Sequence, residues 1–331
     1  MRLLVLGGTS WVGGRVAEQA LAAGHQVTCL ARGLSGAVPA GADLVTADRW
    51  LNGAYDGLVG EFDAAVEVSW QPGHVHTAAM ALAGRVSHWV YVSSISGYAD
   101  LPGPRGHERD PLLPLLPAPW DVASPPDSYG SAKVTCEAIL DEVVGRDRLL
   151  VARAGLIAGY GDRSDRFGYW PGRFAQADER PRVLAAPVRT PVQVIDVEDL
   201  ARWLVRCAAE RVSAIVDAVG ARTTLGEVLD LCAGTLPSGV RPVVNEVDEE
   251  WLVKREVAPW AGPRSLPLWL PRSAWAMATR TGRAALATGL RPRPLARTVT
   301  AAARWEHEQG LRRERRAGLT AGEERELLDR L

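Results

Sequence analysis

Apolar positions in the first half of the chain fall into short runs separated by stretches of helical period. Buried-strand patterns read at residues 3–6, 26–31, 44–46, 64–68 and 89–93. Between the first two, residues 12–23 place Val12, Val16, Ala20 and Leu21 on one helical face, with Gly24 following as a C-cap. A second helical stretch covers 127–144, and 149–151 opens another strand. Near-continuous apolar strands alternating with helices predict a parallel, doubly wound α/β sheet of the Rossmann type.

The pattern changes twice. Residues 101–126 are rich in proline and can be neither helix nor central strand. They read as a loop, either across the active site or out on the surface. Beyond Arg153 the alternation becomes irregular, and 163–189, rich in Arg, Gly and Pro, reads as loop-dominated. Residues 192–195 read as a strand returning to the first domain, followed by a helix at 197–207; further helices read at 298–308 and 321–331. The division expected is a dinucleotide-binding domain over 1–160, with 190–210 returning to it. A smaller substrate-binding region with C-terminal helices then covers 161–189 and 211–331.

Composition narrows the function. A chain of 331 residues with 47% hydrophobic residues and no apolar run of membrane-spanning length is expected to be soluble and cytoplasmic. The apolar start, MRLLVLGGTS, lacks the basic n-region and cleavage site of a signal peptide and reads as a first strand entering a glycine turn. A net charge of −1 speaks against nucleic acid or a membrane surface as partner. The four cysteines, Cys29, Cys136, Cys207 and Cys232, have no paired spacing and read as small buried hydrophobes, with no metal site expected. Of 38 basic residues only two, Lys133 and Lys254, are lysines, so a lysine here needs a specific reason.

Gly7-Gly8-Thr9-Ser10-Trp11-Val12-Gly13 follows the first strand and opens the first helix, where a dinucleotide fold needs glycines. Gly7 allows the turn, and Gly13 lets the helix approach the sheet. N–H groups at the helix start, around Thr9, Ser10, Trp11 and Val12, then face a pyrophosphate. Ser10 stands at the position usually held by the second glycine. The second strand ends Ala31-Arg32, with no carboxylate to bond a ribose 2′-hydroxyl. Arg32 would attract a 2′-phosphate, which favours NADP(H) over NAD(H). Asp48, after the third strand, is placed to accept from the adenine amino group.

Tyr129 and Lys133 stand one above the other at i and i+4 on a helix. Lys133 can stabilise a phenolate electrostatically and bind the nicotinamide ribose, so Tyr129 can exchange a proton with a substrate oxygen. The fifth strand ends Tyr91-Val92-Ser93-Ser94-Ile95-Ser96, and Ser94, with Ser96 second, is expected to bond that oxygen. The order GGTSWVGG, YVSSISGYAD, SYGSAK, with VARAGLIAGYGDRSDRFGYWPGR and PVQVIDVEDLARWLV downstream, resembles the extended short-chain dehydrogenase/reductase superfamily, closest to its NAD-dependent epimerase/dehydratase branch. The resemblance spans most of the chain. It implies catalytic roles for Ser94, Tyr129 and Lys133, and cofactor roles for Gly7, Gly13, Arg32 and Asp48. It also implies a small C-terminal substrate domain, dimers in many members, and substrates such as nucleotide sugars or other small carbonyl and hydroxyl compounds.

The chain departs from that branch at Ser10, at Ala31, and at Val66-Glu67-Val68-Ser69-Trp70 in place of His-x-Ala-Ala. No Asp-Glu pair follows Ser94, which disfavours 4,6-dehydration. The expectation is an atypical member, an NADPH-dependent reductase of a small specialised metabolite or sugar derivative. A nucleotide-sugar epimerase is the alternative; a non-catalytic NADP-sensing regulator and an RNA-binding derivative of the fold belong to other classes. Secondary candidates read blandly. His74 and His76 face different ways on a helix, and Glu67, after an apolar strand, is either a second acid/base or, the preferred reading, a backbone partner at the sheet edge. Arg163, Arg166, Arg173 and Arg189 are either anion ligands or loop charges. The run Arg312–Arg316 is a solvent face.

Overall fold

In the computed structural model, which describes residues 1–99, 106–176, 182–240 and 242–331, the chain forms two compact units. The first comprises Met1–Gly155, Val197–Val219 and Thr281–Arg291; the second comprises Leu156–Asp196, Gly220–Arg280 and Pro292–Leu331.

The first unit opens with β1 (Arg2–Leu6), α1 (Trp11–Ala22), β2 (Gln26–Ala31), β3 (Asp43–Thr46), β4 (Phe62–Glu67), α2 (Pro72–Leu82), β5 (Val86–Ser94), α3 (Tyr129–Val143) and β6 (Leu149–Ala154). A seventh strand, Ala214–Ala218, pairs in parallel with β6. The sheet runs Ala214–Ala218, β6, β5, β4, β1, β2, β3, all parallel. The order reverses between β1 and β4, so the crevice for a ligand lies at the C-terminal ends of those strands. Alternate residues serve opposite faces, as a strand's period of two requires. Leu4, Leu6, Ala65, Trp89 and Tyr91 pack with Val75, Ala78 and Leu82 of α2 and with Ile139 and Leu140 of α3. Helices α1 and Val197–Glu210 pack together, and Gln19 of α1 donates to Glu198 at 2.8 Å. Cutting a core leucine such as Leu140 back to alanine typically costs about 2–5 kcal/mol.

The strands and α1 stand within a few residues of the sequence reading, and Gly24 takes a left-handed φ of 78° just after the Ala23 cap. The return to the first unit differs. Pro191–Asp196 does not join the large sheet; it pairs in parallel with Leu156–Ala158 and antiparallel with Arg222–Thr224 inside the second unit. Helix Val197–Glu210 and the strand Ala214–Ala218 are what come back, joined later by Thr281–Arg291. The pattern PVQVID alternates more regularly than the five-residue strand that actually completes the sheet.

The second unit has its own core, in which Phe167, Tyr169, Trp170, Phe174 and Trp269 are all buried. Trp170 donates through its indole N–H to Pro267 O at 2.8 Å. The run Arg312–Arg316 is not a solvent face throughout. Arg313 and Arg315 bond the buried carboxylates of Asp165 and Glu306, with Arg313 to Glu306 at 3.1 Å and Arg315 to Asp165 at 3.5 Å. Two carboxylates paired with two guanidiniums pin the segment after helix Leu295–Gln309 against the Asp165 turn.

Candidate active site

The glycine turn is as tight as a dinucleotide site demands. Gly7 has φ 99°, and a Cβ on Gly13 would stand 2.3 Å from Gly7 O. Ser10 is folded into this turn. Its hydroxyl donates to Gly7 O at 2.7 Å and accepts Gly13 N–H at 3.2 Å as the N-cap of α1. The hydroxyl therefore points into the turn, and serine replaces glycine there without crowding the helix start. Thr9 is buried in the turn, and Trp11 and Val12 form the first positions of α1. This cradle fits a dinucleotide: the N-terminus of a 12-residue helix, backed by glycines whose side of the turn has no room for a Cβ.

Arg32 lies just past the end of β2, exposed, with no hydrogen bond or ion pair among the described residues. Asp48 follows β3 and accepts Trp50 N–H at 3.0 Å through one carboxylate oxygen. Both sit at C-terminal strand ends, as the crevice rule requires.

Lys133 is 3% exposed. Its ammonium donates to Val92 O at 2.5 Å, Ser69 O at 3.0 Å and Val68 O at 3.4 Å, and stands 4.7 Å from the centroid of the Tyr91 ring. Three carbonyl oxygens thus match its three N–H groups. One turn earlier Tyr129 is 36% exposed, its ring 5.7 Å from that of Trp70. Ser94 ends β5 and accepts Ser96 N–H at 3.1 Å, shaping the turn Ile95–Gly97. That turn abuts the start of α3, since a Cβ on Gly130 would fall 2.3 Å from Ser96 O. Gly130 is therefore what lets the serine turn and the Tyr129 helix meet.

The described part of the proline-rich segment, 106–126, is a packed strap; 101–105 lie outside the described residues. Leu113 N donates to Gly97 O at 2.8 Å, and Leu116 N to Thr135 Oγ1 of α3 at 2.8 Å. Ser124 N donates to Gln71 Oε1 at 2.6 Å, at the start of α2. A Cβ on Gly73 would stand 2.0 Å from Trp120 O, so a glycine is needed where the strap crosses that helix. The strap thus runs along the elements that carry Ser94 and Tyr129.

Sequence reasoning missed the partner of Glu67. β4 lies in the middle of the sheet, so Glu67 is not at an edge. It is fully buried and paired with Arg49, which bonds both its oxygens, one at 3.0 Å. Glu67 also accepts Ser69 N–H at 2.7 Å, so its expected bond to backbone is present. Burial opposes the charge of Arg49, but Glu67 outweighs it and holds the guanidinium above its ordinary range. Arg49 further donates to His74 O at 2.6 Å and Tyr55 OH at 3.2 Å. The only signal in the sequence was a carboxylate after an apolar run.

His74 lies against Trp50 with ring centroids 4.2 Å apart and planes tilted by 50°, whereas His76 meets Trp120. Burial, and then the Arg49 charge, lower the His74 pKa to about 4. Among the described residues no three His, Cys, Asp or Glu side chains are grouped to hold a metal, and all four cysteines are free and buried. Arg173 pairs with Glu324, and Arg166 stands over the Trp260 ring; Arg163 and Arg189 are exposed. Within the second unit a pocket of about 710 Å³ is lined by Asp196, Arg222, Glu227, Arg293, Leu295 and Thr298 among others.

The Bordetella bronchiseptica enzyme WbmH, solved with NAD+, superposes with a TM-score of 0.66 at 19% identity, over 93% of this chain and 99% of that one. This is the fold of the UDP-glucose 4-epimerases. The Thermus thermophilus UDP-glucose 4-epimerase, solved with NAD, gives 0.63 at 17% identity, and the Thermotoga maritima UDP-glucose 4-epimerase, solved with UDP-glucose, gives 0.64 at 15%; both cover 93% of this chain and 99% of theirs. No protein-family model matches the chain, and no curated protein shows significant sequence similarity to it. Among the described residues no helix is long and apolar enough to cross a membrane.

Proposed function

We propose that the chain is an NADPH-dependent reductase of a carbonyl group on a small molecule, with Tyr129 as proton donor. The observation that carries this reading is the pairing of a half-exposed Tyr129 over a buried Lys133 with an unpaired Arg32 at the end of β2. A guanidinium there suits a 2′-phosphate through charge-assisted hydrogen bonds. The fit of the glycine turn to a pyrophosphate supports a bound dinucleotide, and the reduced nicotinamide supplies the hydride. Ser94 holds the substrate oxygen, the Tyr129 hydroxyl delivers the proton to it, and Lys133 exchanges its longest carbonyl contact, to Val68 O at 3.4 Å, for a ribose hydroxyl.

A second reading is a nucleotide-sugar epimerase, favoured by the fold shared with UDP-glucose 4-epimerases over 93% of the chain. The two differ in one observable. A reductase consumes NADPH in proportion to product, whereas an epimerase returns its cofactor to the starting state each turnover. Absorbance of the reduced nicotinamide, followed with a panel of carbonyl compounds and with UDP-glucose, decides between them. Conversion of UDP-glucose with flat absorbance overturns the reductase reading.

A further inference from the structure

Besides Val92 O of β5 at 2.5 Å, Lys133 is held by the backbone of two residues, Val68 and Ser69, that belong to neither its helix nor the glycine turn. Val92 O, on β5, is held by the sheet; what fixes the other two carbonyls completes the cage around the ammonium. Ser69 N–H is taken by Glu67 at 2.7 Å, and Tyr91 OH donates to Ser69 O at 3.1 Å. Glu67 in turn is clamped by Arg49, which also reaches His74 O in the first turn of α2. The three-residue link 67–69 is thus tied at its start by a bidentate ion pair and at its end by the lysine. Arg49 directly follows Asp48, the residue placed for the adenine end of a cofactor.

We infer that Glu67 is a positioning residue for Lys133, with Arg49 as its counterion, so that one buried network sets both the loop after β3 and the lysine cage. The inference rests on the reading that Lys133 serves the cofactor. Glu67 touches no reacting atom; it orders the Val68–Ser69 carbonyls through its bond to Ser69 N–H. Removing only one charge of a buried pair strands the other and threatens the fold. Double variants avoid this. Arg49→Met with Glu67→Gln keeps an amide oxygen for Ser69 N–H, whereas Arg49→Met with Glu67→Met keeps nothing for it.

The chain's two lysines make the test direct. In protein labelled with 15N at lysine Nζ, the caged ammonium of Lys133 exchanges its protons slowly and gives an NMR correlation. Lys254, 67% exposed at its side chain and paired with Glu250, exchanges fast. Lys133→Arg assigns the signal. The expected result is a protected signal in the wild type and in the Met/Gln variant, and its loss in the Met/Met variant, with both doubles melting cooperatively. NADPH binding, by calorimetry, weakens about tenfold or more in the Met/Met variant only. A protected signal that survives in a folded Met/Met variant overturns the inference, as does its absence from the wild type. Should the Met/Met variant not fold, Glu67→Asp, too short to reach both Arg49 and Ser69 N–H, is read by the same signal: loss supports the inference and persistence overturns it. Loss of the signal with unchanged NADPH affinity leaves Glu67 positioning Lys133 and overturns instead the cofactor role given to that lysine.

Discussion

The ring of Trp70 lies against that of Tyr129, centroids 5.7 Å apart and planes tilted by 57°. Trp70 stands just beyond β4, where the resembling family carries a small residue. It covers one side of the tyrosine and limits the orientations of the phenol. Such a pair contributes about 0.5–1.5 kcal/mol beyond burial. Trp70→Ala is expected to lower the melting temperature slightly and turnover by about tenfold or more, because the phenol loses its fixed orientation. Paired thermal melts and kinetics check this; unchanged kcat removes Trp70 from the site.

Gly13 faces Gly7 O across the turn, with 2.3 Å available for a Cβ. Gly13→Val is expected to displace α1 from the sheet and abolish NADPH binding. Calorimetry with NADPH is the check, with Gly14→Ala as a control, since a Cβ there meets its nearest atom at 3.6 Å.

Arg32→Ala is expected to cost roughly 1.5–3 kcal/mol of NADPH binding, the scale of a hydrogen bond to a charged group, and to leave NADH binding little changed. A wild-type protein that binds NADH more tightly than NADPH contradicts the assignment.

Tyr129→Phe removes the proton donor while leaving the cofactor cradle intact. Turnover is expected to fall on the order of 10²–10⁴-fold with NADPH affinity retained. Lys133→Met is expected to lower both. Full activity in Tyr129→Phe defeats the reductase and the epimerase readings together.

His74 ties acid stability to the same region. Its folded pKa, lowered to about 4 by burial and by Arg49, lies below the ordinary 6.5. Between those values the unfolded chain binds the proton more readily, so stability rises with pH there. The contribution is complete above about pH 6.5 and is lost as pH falls toward about 4. Melting temperatures of the wild type and His74→Gln, compared from pH 7 to pH 4, should converge as pH falls. Parallel curves count against this role.

Much of the architecture was legible in local pattern. Apolar runs and helical periods located β1 to β6, α1 and α3, because strand and helix periods are set by backbone geometry within a few residues. The glycine turn and the Tyr129–Lys133 pair were legible for the same reason, being constellations of adjacent residues whose spacing fixes their relative placement. What the pattern could not hold were partnerships between distant residues. The clamp of Arg49 on Glu67 spans 18 residues, the Ser124–Gln71 bond that anchors the strap spans 53, and the pairing of Arg313 with Asp165 spans 148. Each joins polar groups that look solvated in sequence and become partly or wholly buried only when separate elements close over them. The same holds for the strand Ala214–Ala218, whose place beside β6 depends on how helix Val197–Glu210 returns the chain to the sheet. Burial makes an unpaired charge costly, so partners for Glu67, Lys133 and Arg313 had to exist; only the tertiary structure decided which they are.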